Sequence, residues 1–245
     1  MTTIDDYLEN MDEDPKKNKP TNFLPHLKIN NLLVSQQDFY KLFKAVFKKI
    51  CKKEFISDEN SDELLNTLVN YFYRNNEFFK SKCLAKDQNS PNFDKGLLII
   101  GNSGLGKSKF LKTFEFIFNE CHFNKHLNFK MLKAIDVVSE FEKIETPYEK
   151  NYFIEKHSKG IKCYDDVKCE REASNFGKVN LFKDILLARY ETEMKTIITC
   201  NFDNNFPEDY GKALEEFGTK YDGRVYDRIF EMFNIIVVKG TSKRN

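Results

Sequence analysis

Apolar residues between positions 35 and 72 recur with the spacing of two amphipathic helices. Ser35 suits a helix N-cap with Asp38 at its third position. The apolar face that follows comprises Phe39, Leu42, Phe43, Val46, Phe47 and Ile50. A second helix is capped within SDENSDE, and its stripe comprises Leu64, Leu65, Leu68, Val69 and Phe72. The loop KDQNSPNFDKG, rich in Asn, Ser, Pro and Gly, ends this helical part.

Beyond that loop, short apolar runs alternate with amphipathic helices. This alternation is typical of an α/β sheet with parallel strands. It predicts five strands, at residues 97–100, 129–134, 161–164, 196–200 and 235–238. The predicted fold class is therefore α/β with a five-stranded parallel sheet, preceded by a small helical N-terminal region. We place the domain boundary between residues 1–57 and 58–245.

Composition excludes several classes of protein. The chain has 245 residues, of which 40% are hydrophobic and 14% aromatic, and this excludes wholesale disorder. The charged fraction of 31% and the mean hydropathy of −0.59 exclude a membrane protein. The first residues, MTTIDDYLENMDEDP, are acidic and contain no base, the reverse of a signal or transit peptide. We therefore expect a cytoplasmic protein without membrane contact.

The net charge says little about nucleic-acid binding, because 38 acidic residues nearly balance 39 basic ones. The choice of base is more informative, since only six of the 39 are arginines, at positions 74, 171, 189, 224, 228 and 244. Lysine cannot imitate the planar fork of a guanidinium group. Each arginine is therefore a candidate for a role that needs that fork.

The segment GNSGLGKS, at 101–108, is a complete G-x-x-x-x-G-K-[ST] motif between an apolar strand and an amphipathic helix. Its glycines let backbone N–H groups wrap phosphates, and the helix N-terminus adds partial positive charge. Lys107 would reach the β- and γ-phosphates, and Ser108 would hold Mg²⁺. The predicted ATP-binding residues are Asn102, Ser103, Gly104, Leu105, Gly106, Lys107, Ser108 and Lys109.

Polar side chains follow two of the other predicted strands. Asp165 and Asp166 come after the third strand and would lie at the carboxyl edge of the sheet. Asp165 would hold magnesium through water, and Asp166 would polarise the attacking water. Asn201 follows the strand TIITC and could orient that water. An Asn after a strand usually only starts a turn, so its value comes from its place in the order.

The order of these elements resembles that of the DnaC/IstB family of AAA+ ATPases. The resemblance covers about residues 60–245 and includes the phosphate loop, a strand ending in DD, LLARY, TIITCN, GRVYDRI and GTSKR. That family includes replicative helicase loaders and the ATPase subunits of certain transposition systems. The resemblance implies a P-loop AAA+ three-layer sandwich. The 45 residues 201–245 are too few for a separate lid domain, which fits the family.

The resemblance also implies roles for three arginines. Arg228 in GRVYDRI would be the arginine finger, which reaches the ATP of an adjacent subunit, and Arg224 would support it or hold the interface. Arg244 in GTSKRN matches the sensor 2 arginine, which contacts nucleotide within its own subunit. A finger that acts in trans implies a homo-oligomer formed with ATP. Without the resemblance, each arginine would be interpreted as part of a surface salt bridge.

The function that the resemblance favours is an ATP-dependent helicase loader. Such a protein would bind a replicative helicase through residues 1–57 and single-stranded DNA through its ATPase domain. One alternative is an IstB-like ATPase regulator of DNA transposition, which the N-terminal region alone would distinguish. Another is a nucleotide-dependent scaffold with little turnover. Lys162 and Tyr164, which interrupt the strand before Asp165, keep this alternative open, and Lys168 stands where the family usually has Gly.

Overall fold

The computed structural model describes residues 34–87, 90–120 and 125–243. Its helices are α1 (Gln36–Cys51), α2 (Glu59–Phe72), α3 (Lys107–Glu120), α4 (Ala134–Phe141), α5 (Pro147–Ser158), α6 (Leu181–Glu191), α7 (Tyr210–Tyr221) and α8 (Gly223–Met232). Its strands are β1 (Gly96–Gly101), β2 (Lys130–Lys133), β3 (Lys162–Asp165), β4 (Ala173–Ser174), β5 (Lys178–Val179), β6 (Thr196–Cys200) and β7 (Phe233–Val238). None of the helices in the described ranges is long and apolar enough to cross a membrane.

The described residues form two compact units. One unit contains residues up to Ser57 together with residues 109–129, and the other contains residues 58–108 and those from 130 onward. The first unit therefore includes most of α3, although α3 lies within the predicted ATPase domain, residues 58–245. The assignment of residues 1–57 to partner binding and of 58–245 to the ATPase stays a prediction.

Phenylalanines form the core of the first unit. The Ser35 hydroxyl caps α1 by accepting a hydrogen bond from the Asp38 backbone N–H at 3.1 Å, as predicted. The buried face of α1 includes Phe43, whose ring centroid lies 5.4 Å from that of Phe110 and 5.3 Å from that of Phe114 on α3. Aromatic pairs at these separations stabilise a core beyond their buried area.

The second unit is built on a five-stranded parallel sheet in the order β2, β3, β6, β1, β7, with helices on both sides. All five predicted strands are confirmed. Every residue of β1, a strand with a neighbour on each side, is buried, as expected for a parallel strand covered on both faces. Because parallel strands share one direction, the carboxyl ends of β1, β3 and β6 lie at the same edge of the sheet.

The strand β7 begins two residues before its predicted start, because a polar residue lies inside it. Asn234 is fully buried, and its side chain accepts a hydrogen bond from the Asn92 backbone N–H at 2.8 Å. Its amide donates to the carbonyl oxygens of Asn92 at 2.8 Å and Gly96 at 3.1 Å. Asn234 thereby ties the loop before β1 to the neighbouring strand. The short antiparallel pair β4–β5 was not predicted at all.

Candidate nucleotide site

Left-handed glycines shape the loop between β1 and α3. Gly104 has φ +89° and Gly106 has φ +88°, a region that only glycine enters readily. A Cβ atom on Gly104 would lie 2.1 Å from the Ser242 Oγ atom. The Lys243 backbone N–H donates to the Gly104 carbonyl oxygen at 3.0 Å. The last described residues thus hold this loop in place and leave no space for a side chain at position 104.

Lys107 begins α3 and lies at the carboxyl edge of the sheet with only 5% of its surface exposed. Its Nζ atom donates to the carbonyl oxygens of Gly101 at 2.5 Å and Asn102 at 3.0 Å, and to Asn201 Oδ1 at 3.1 Å. Burial lowers the pKa of Lys107, and the nearby Cys200, Asp166 and Asp165 groups oppose that shift. The fold therefore brings Lys107 and Asn201 together from two different strand ends.

Ser108 and Asp165 form the second pair of the site. The Ser108 hydroxyl donates to Asp165 Oδ1 at 2.7 Å, and Asp165 is buried as the last residue of β3. The Thr199 hydroxyl donates to the same oxygen at 2.6 Å. Thr199 is not among the site residues predicted from the sequence. The sequence feature that could have identified Thr199 is a hydroxyl residue within the apolar run TIITC, immediately before Cys200 and Asn201 at the strand end.

Asp166 is exposed and adopts a left-handed backbone conformation, with φ +56°. Its backbone N–H donates to the Thr199 hydroxyl at 2.9 Å, and its carbonyl oxygen accepts from the Cys169 N–H at 3.1 Å. A non-glycine residue in this region is strained and persists where its surroundings hold it. The turn directs the chain away from β3 immediately after Asp165 and leaves Asp166 at the surface.

The loop after Asp166 is fastened to α7. Lys168 also has a left-handed φ, of +79°, at the position where the resembled family usually has Gly. Its N–H donates to the Tyr221 hydroxyl at 3.0 Å, and its side chain forms an ion pair with Glu216. The Lys220 Nζ atom donates to the carbonyl oxygens of Lys168 at 2.5 Å and Glu170 at 2.7 Å. These contacts offset the strain that a lysine carries at a glycine position.

The predicted loop residues other than Lys107 and Ser108 take different positions. Leu105 is buried, whereas Ser103 and Lys109 are exposed. The Asn102 carbonyl oxygen is one of the acceptors of Lys107. Arg244 lies outside the described residues.

The structure does not bring Arg228 to these residues. Its Nη1 atom donates to Glu231 Oε1 at 2.8 Å, and its guanidinium carbon lies 4.4 Å from the centroid of the Tyr190 ring. A cavity of about 240 Å³ adjoins it, and we call its lining the arginine surface: Leu187, Tyr190, Glu191, Arg224, Asp227 and Arg228. Arg224 pairs with Asp222 and is exposed. Both arginines therefore lie on a surface of α6 and α8.

Comparison with known proteins shows what this fold resembles. The crystal structure of the DnaC helicase loader matches with a TM-score of 0.53, over 76% of this chain and 93% of that one, at 16% sequence identity. The chain has the fold of the DnaC helicase loader. The predicted α/β fold with a five-stranded parallel sheet is confirmed. The crystal structure of DnaI matches 81% of this chain and 93% of its own, with a TM-score of 0.47 and 20% identity. No protein-family model and no curated protein matches the sequence.

Proposed function

We propose that this protein binds ATP with Mg²⁺ and hydrolyses the ATP at the carboxyl edge of its sheet. The observation that carries this proposal is the convergence of Lys107, Ser108, Asp165 and Asn201 there. Backbone N–H groups of residues 102–106, together with Lys107, would bind the phosphates. Lys109 would add a contact from the start of α3. Arg244 would contact the nucleotide within its own subunit.

The residues present fit Mg²⁺. Magnesium prefers oxygen ligands, keeps several waters and takes phosphate oxygens, so it needs few protein ligands. No group of three or more His, Cys, Asp or Glu side chains in the described part of the chain could hold a metal ion. One hydroxyl and one carboxylate suffice here: Ser108 would hold the ion directly and Asp165 through water. The ion, when bound, neutralises charge that develops on the β- and γ-phosphates.

Two further polar groups at this edge would act on the attacking water. Asp166 would polarise it, and Asn201 would orient it. Arg228 would reach the ATP of an adjacent subunit, supported by Arg224, so the active form would be a homo-oligomer assembled with ATP. Arg228 suits this role because its described contacts are with Glu231 and Tyr190. Neither of these residues belongs to the phosphate loop of its own chain.

We further propose that the ATPase is a helicase loader, which binds a replicative helicase and single-stranded DNA in the cytoplasm. Two observations support the proposal: the fold of the DnaC helicase loader and the ordered motifs that resemble the DnaC/IstB family. Residues 1–57 would bind the helicase. The ATPase domain would bind the DNA.

Mass photometry of the protein mixed with the replicative helicase of its own genome tests this role. We expect a discrete complex that depends on ATP and increases with single-stranded DNA. Deleting residues 1–33 should abolish it. This deletion ends before α1 and so retains Phe43, Phe110 and Phe114, whose rings pack together. The ATP dependence is controlled with Lys107→Ala.

Two other outcomes would replace the loader. If no helicase complex forms, and the protein instead assembles on duplex DNA with ATP, the IstB-like transposition regulator is favoured. If the protein binds ATP but turns it over no faster than Asp166→Asn, it is a nucleotide-dependent scaffold.

A further inference from the structure

We infer that Thr199 is a positioning residue for the magnesium site: its hydroxyl orients the carboxylate of Asp165 and fixes the turn at Asp166. The inference rests on the proposed ATP·Mg²⁺ function. Thr199 is fully buried near the end of β6, the strand between β3 and β1. Its position follows the register Lys162↔Thr196, Cys163↔Ile197, Tyr164↔Ile198, which places Thr199 beside the end of β3.

One hydroxyl serves two neighbouring residues. The Thr199 Oγ1 atom donates its single proton to Asp165 Oδ1 at 2.6 Å and accepts the Asp166 backbone N–H at 2.9 Å. A hydroxyl has one proton and two lone pairs, so the two bonds are compatible and set its orientation. The Thr199 carbonyl oxygen also accepts the Val167 N–H at 2.9 Å. Thr199 thus contacts three consecutive residues, which include the left-handed turn at Asp166.

Both hydroxyl groups bonded to the Asp165 carboxylate use the same oxygen atom. Ser108 and Thr199 both donate to Oδ1 of Asp165, and neither donates to Oδ2. Oδ2 would therefore be the oxygen that accepts a hydrogen bond from a water on the proposed ion. Groups that hydrogen-bond a metal-binding side chain without touching the metal orient it and tune the affinity of the site. Thr199 would act in this way through Asp165.

The strand itself does not require a hydroxyl at this position. Valine has nearly the shape of threonine and suits a buried strand as well as threonine does. In a valine variant, the Asp165 carboxylate would lose one of its two hydroxyl donors, and the Asp166 N–H would lose its acceptor. Both losses fall on the residues that would handle magnesium and water. The hydroxyl is therefore explained by the site rather than by packing.

The test is a Mg²⁺ titration of the binding of a fluorescent ATP analogue. In Thr199→Val, the Mg²⁺ concentration for half-maximal enhancement should rise about 10- to 100-fold. Binding in EDTA should remain as in the wild type, since the phosphate loop is unchanged. Thr199→Ser keeps the hydroxyl and should restore the Mg²⁺ response.

Thr196→Val is the matched control. Thr196 lies buried on the same strand, but its hydroxyl accepts from Arg189 Nε at 2.7 Å, away from Asp165. It should leave the Mg²⁺ response unchanged. Circular dichroism checks folding, and Thr199→Ala replaces the valine variant if that variant does not fold.

The outcomes separate this inference from the function on which it rests. If the wild type shows Mg²⁺-enhanced binding and Thr199→Val shifts it no more than Thr196→Val, Thr199 has no positioning role. An equal response of Thr199→Ser and Thr199→Ala would overturn the inference as well. If the wild type binds no nucleotide, the proposed function fails, and the role of Thr199 fails with it.

Discussion

The phosphate loop and the arginine surface hold their cations in opposite ways. Lys107 is 5% exposed, and its Nζ atom has three acceptors, two of which are backbone carbonyl oxygens. Arg228 has 42% of its side chain exposed and contacts one carboxylate and one ring. Exposed ion pairs contribute little to stability, so Arg228 can leave Glu231 at small cost. The phosphate loop therefore holds its cation inside the fold, whereas the arginine surface presents its cation to solvent.

Two adjacent residues of α6 contact a buried and an exposed environment: Arg189 is itself buried, and Tyr190 packs against the exposed Arg228. Arg189 is fully buried, and its fork donates to Thr196 Oγ1 at 2.7 Å and to the carbonyl oxygens of His157 at 2.5 Å and Gly160 at 2.8 Å. Tyr190, the next residue, is half-buried and lies under Arg228. The two arginines therefore differ in their surroundings: Arg189 bonds to buried groups of the fold, and Arg228 lies at the surface.

The largest expected effect is that of Lys107→Ala. Loss of the buried ammonium removes the group that would contact the β- and γ-phosphates, so both ATP binding and hydrolysis should fall to background. Fluorescence anisotropy with labelled ATP measures the binding. Lys112→Ala, an exposed change on α3, is the control. Retained nanomolar to micromolar binding would contradict the phosphate-loop assignment.

Arg228→Ala should lower kcat by roughly 1000-fold while leaving ATP binding intact, because an arginine finger stabilises only the transition state. Steady-state phosphate release measures the effect, with the exposed Arg171→Ala as the control. Mixing this variant with Asp166→Asn should restore some activity, since the second subunit supplies Arg228 to an intact Asp166. Failure at every mixing ratio would argue against a site shared between subunits.

Asp166→Asn should lower kcat by about 100-fold without changing the affinity for ATP, because an amide cannot accept the proton of the attacking water. Single-turnover hydrolysis separates this chemical step from binding. Asp136→Asn, an equally exposed change on α4, should have no effect. A wild-type rate no higher than that of the variant would place the protein among scaffolds.

The smallest expected effect is on stability, and it compares a buried arginine with an exposed one. Arg189→Lys should lower the free energy of unfolding by about 2 kcal/mol, because a lysine cannot donate hydrogen bonds to all the carbonyl oxygens that the guanidinium group contacts. Arg224→Lys, at an exposed site, should leave it nearly unchanged. Urea denaturation measures both. Equal stabilities would show that the buried fork is dispensable.

Local patterns in the sequence account for much of the fold. The caps at Ser35 and Asp58, the phosphate loop between β1 and α3, and the five parallel strands follow from spacing and residue type over short stretches. Tyr164, which interrupts the apolar run of β3, does not break that strand. It is fully buried, and its hydroxyl lies 2.9 Å from His157 Nδ1. A polar group within a strand is tolerated where the fold supplies its partner.

The left-handed turns after β3 could not be predicted from the sequence. Lys168 occupies a conformation that favours glycine because Tyr221 and Lys220, about fifty residues later, bond to its backbone. No sequence pattern near position 168 predicts those two partners. Burial raises the pKa of Tyr221, so its hydroxyl remains protonated and donates to Glu170 Oε1 at 2.7 Å.

The sequence by itself determined the phosphate loop, the two N-terminal helices and the positions of the five strands along the chain, because these depend on neighbours within a few residues. Only the tertiary structure decided that Thr199 joins Asp165, that Asn201 meets Lys107, and that Arg228 lies on a surface of α6 and α8. Parallel strands adjacent in the sheet are distant in the chain, so contacts between their ends leave no local signal. Hydrogen bonds across such strand ends depend on register, which the packed sheet sets.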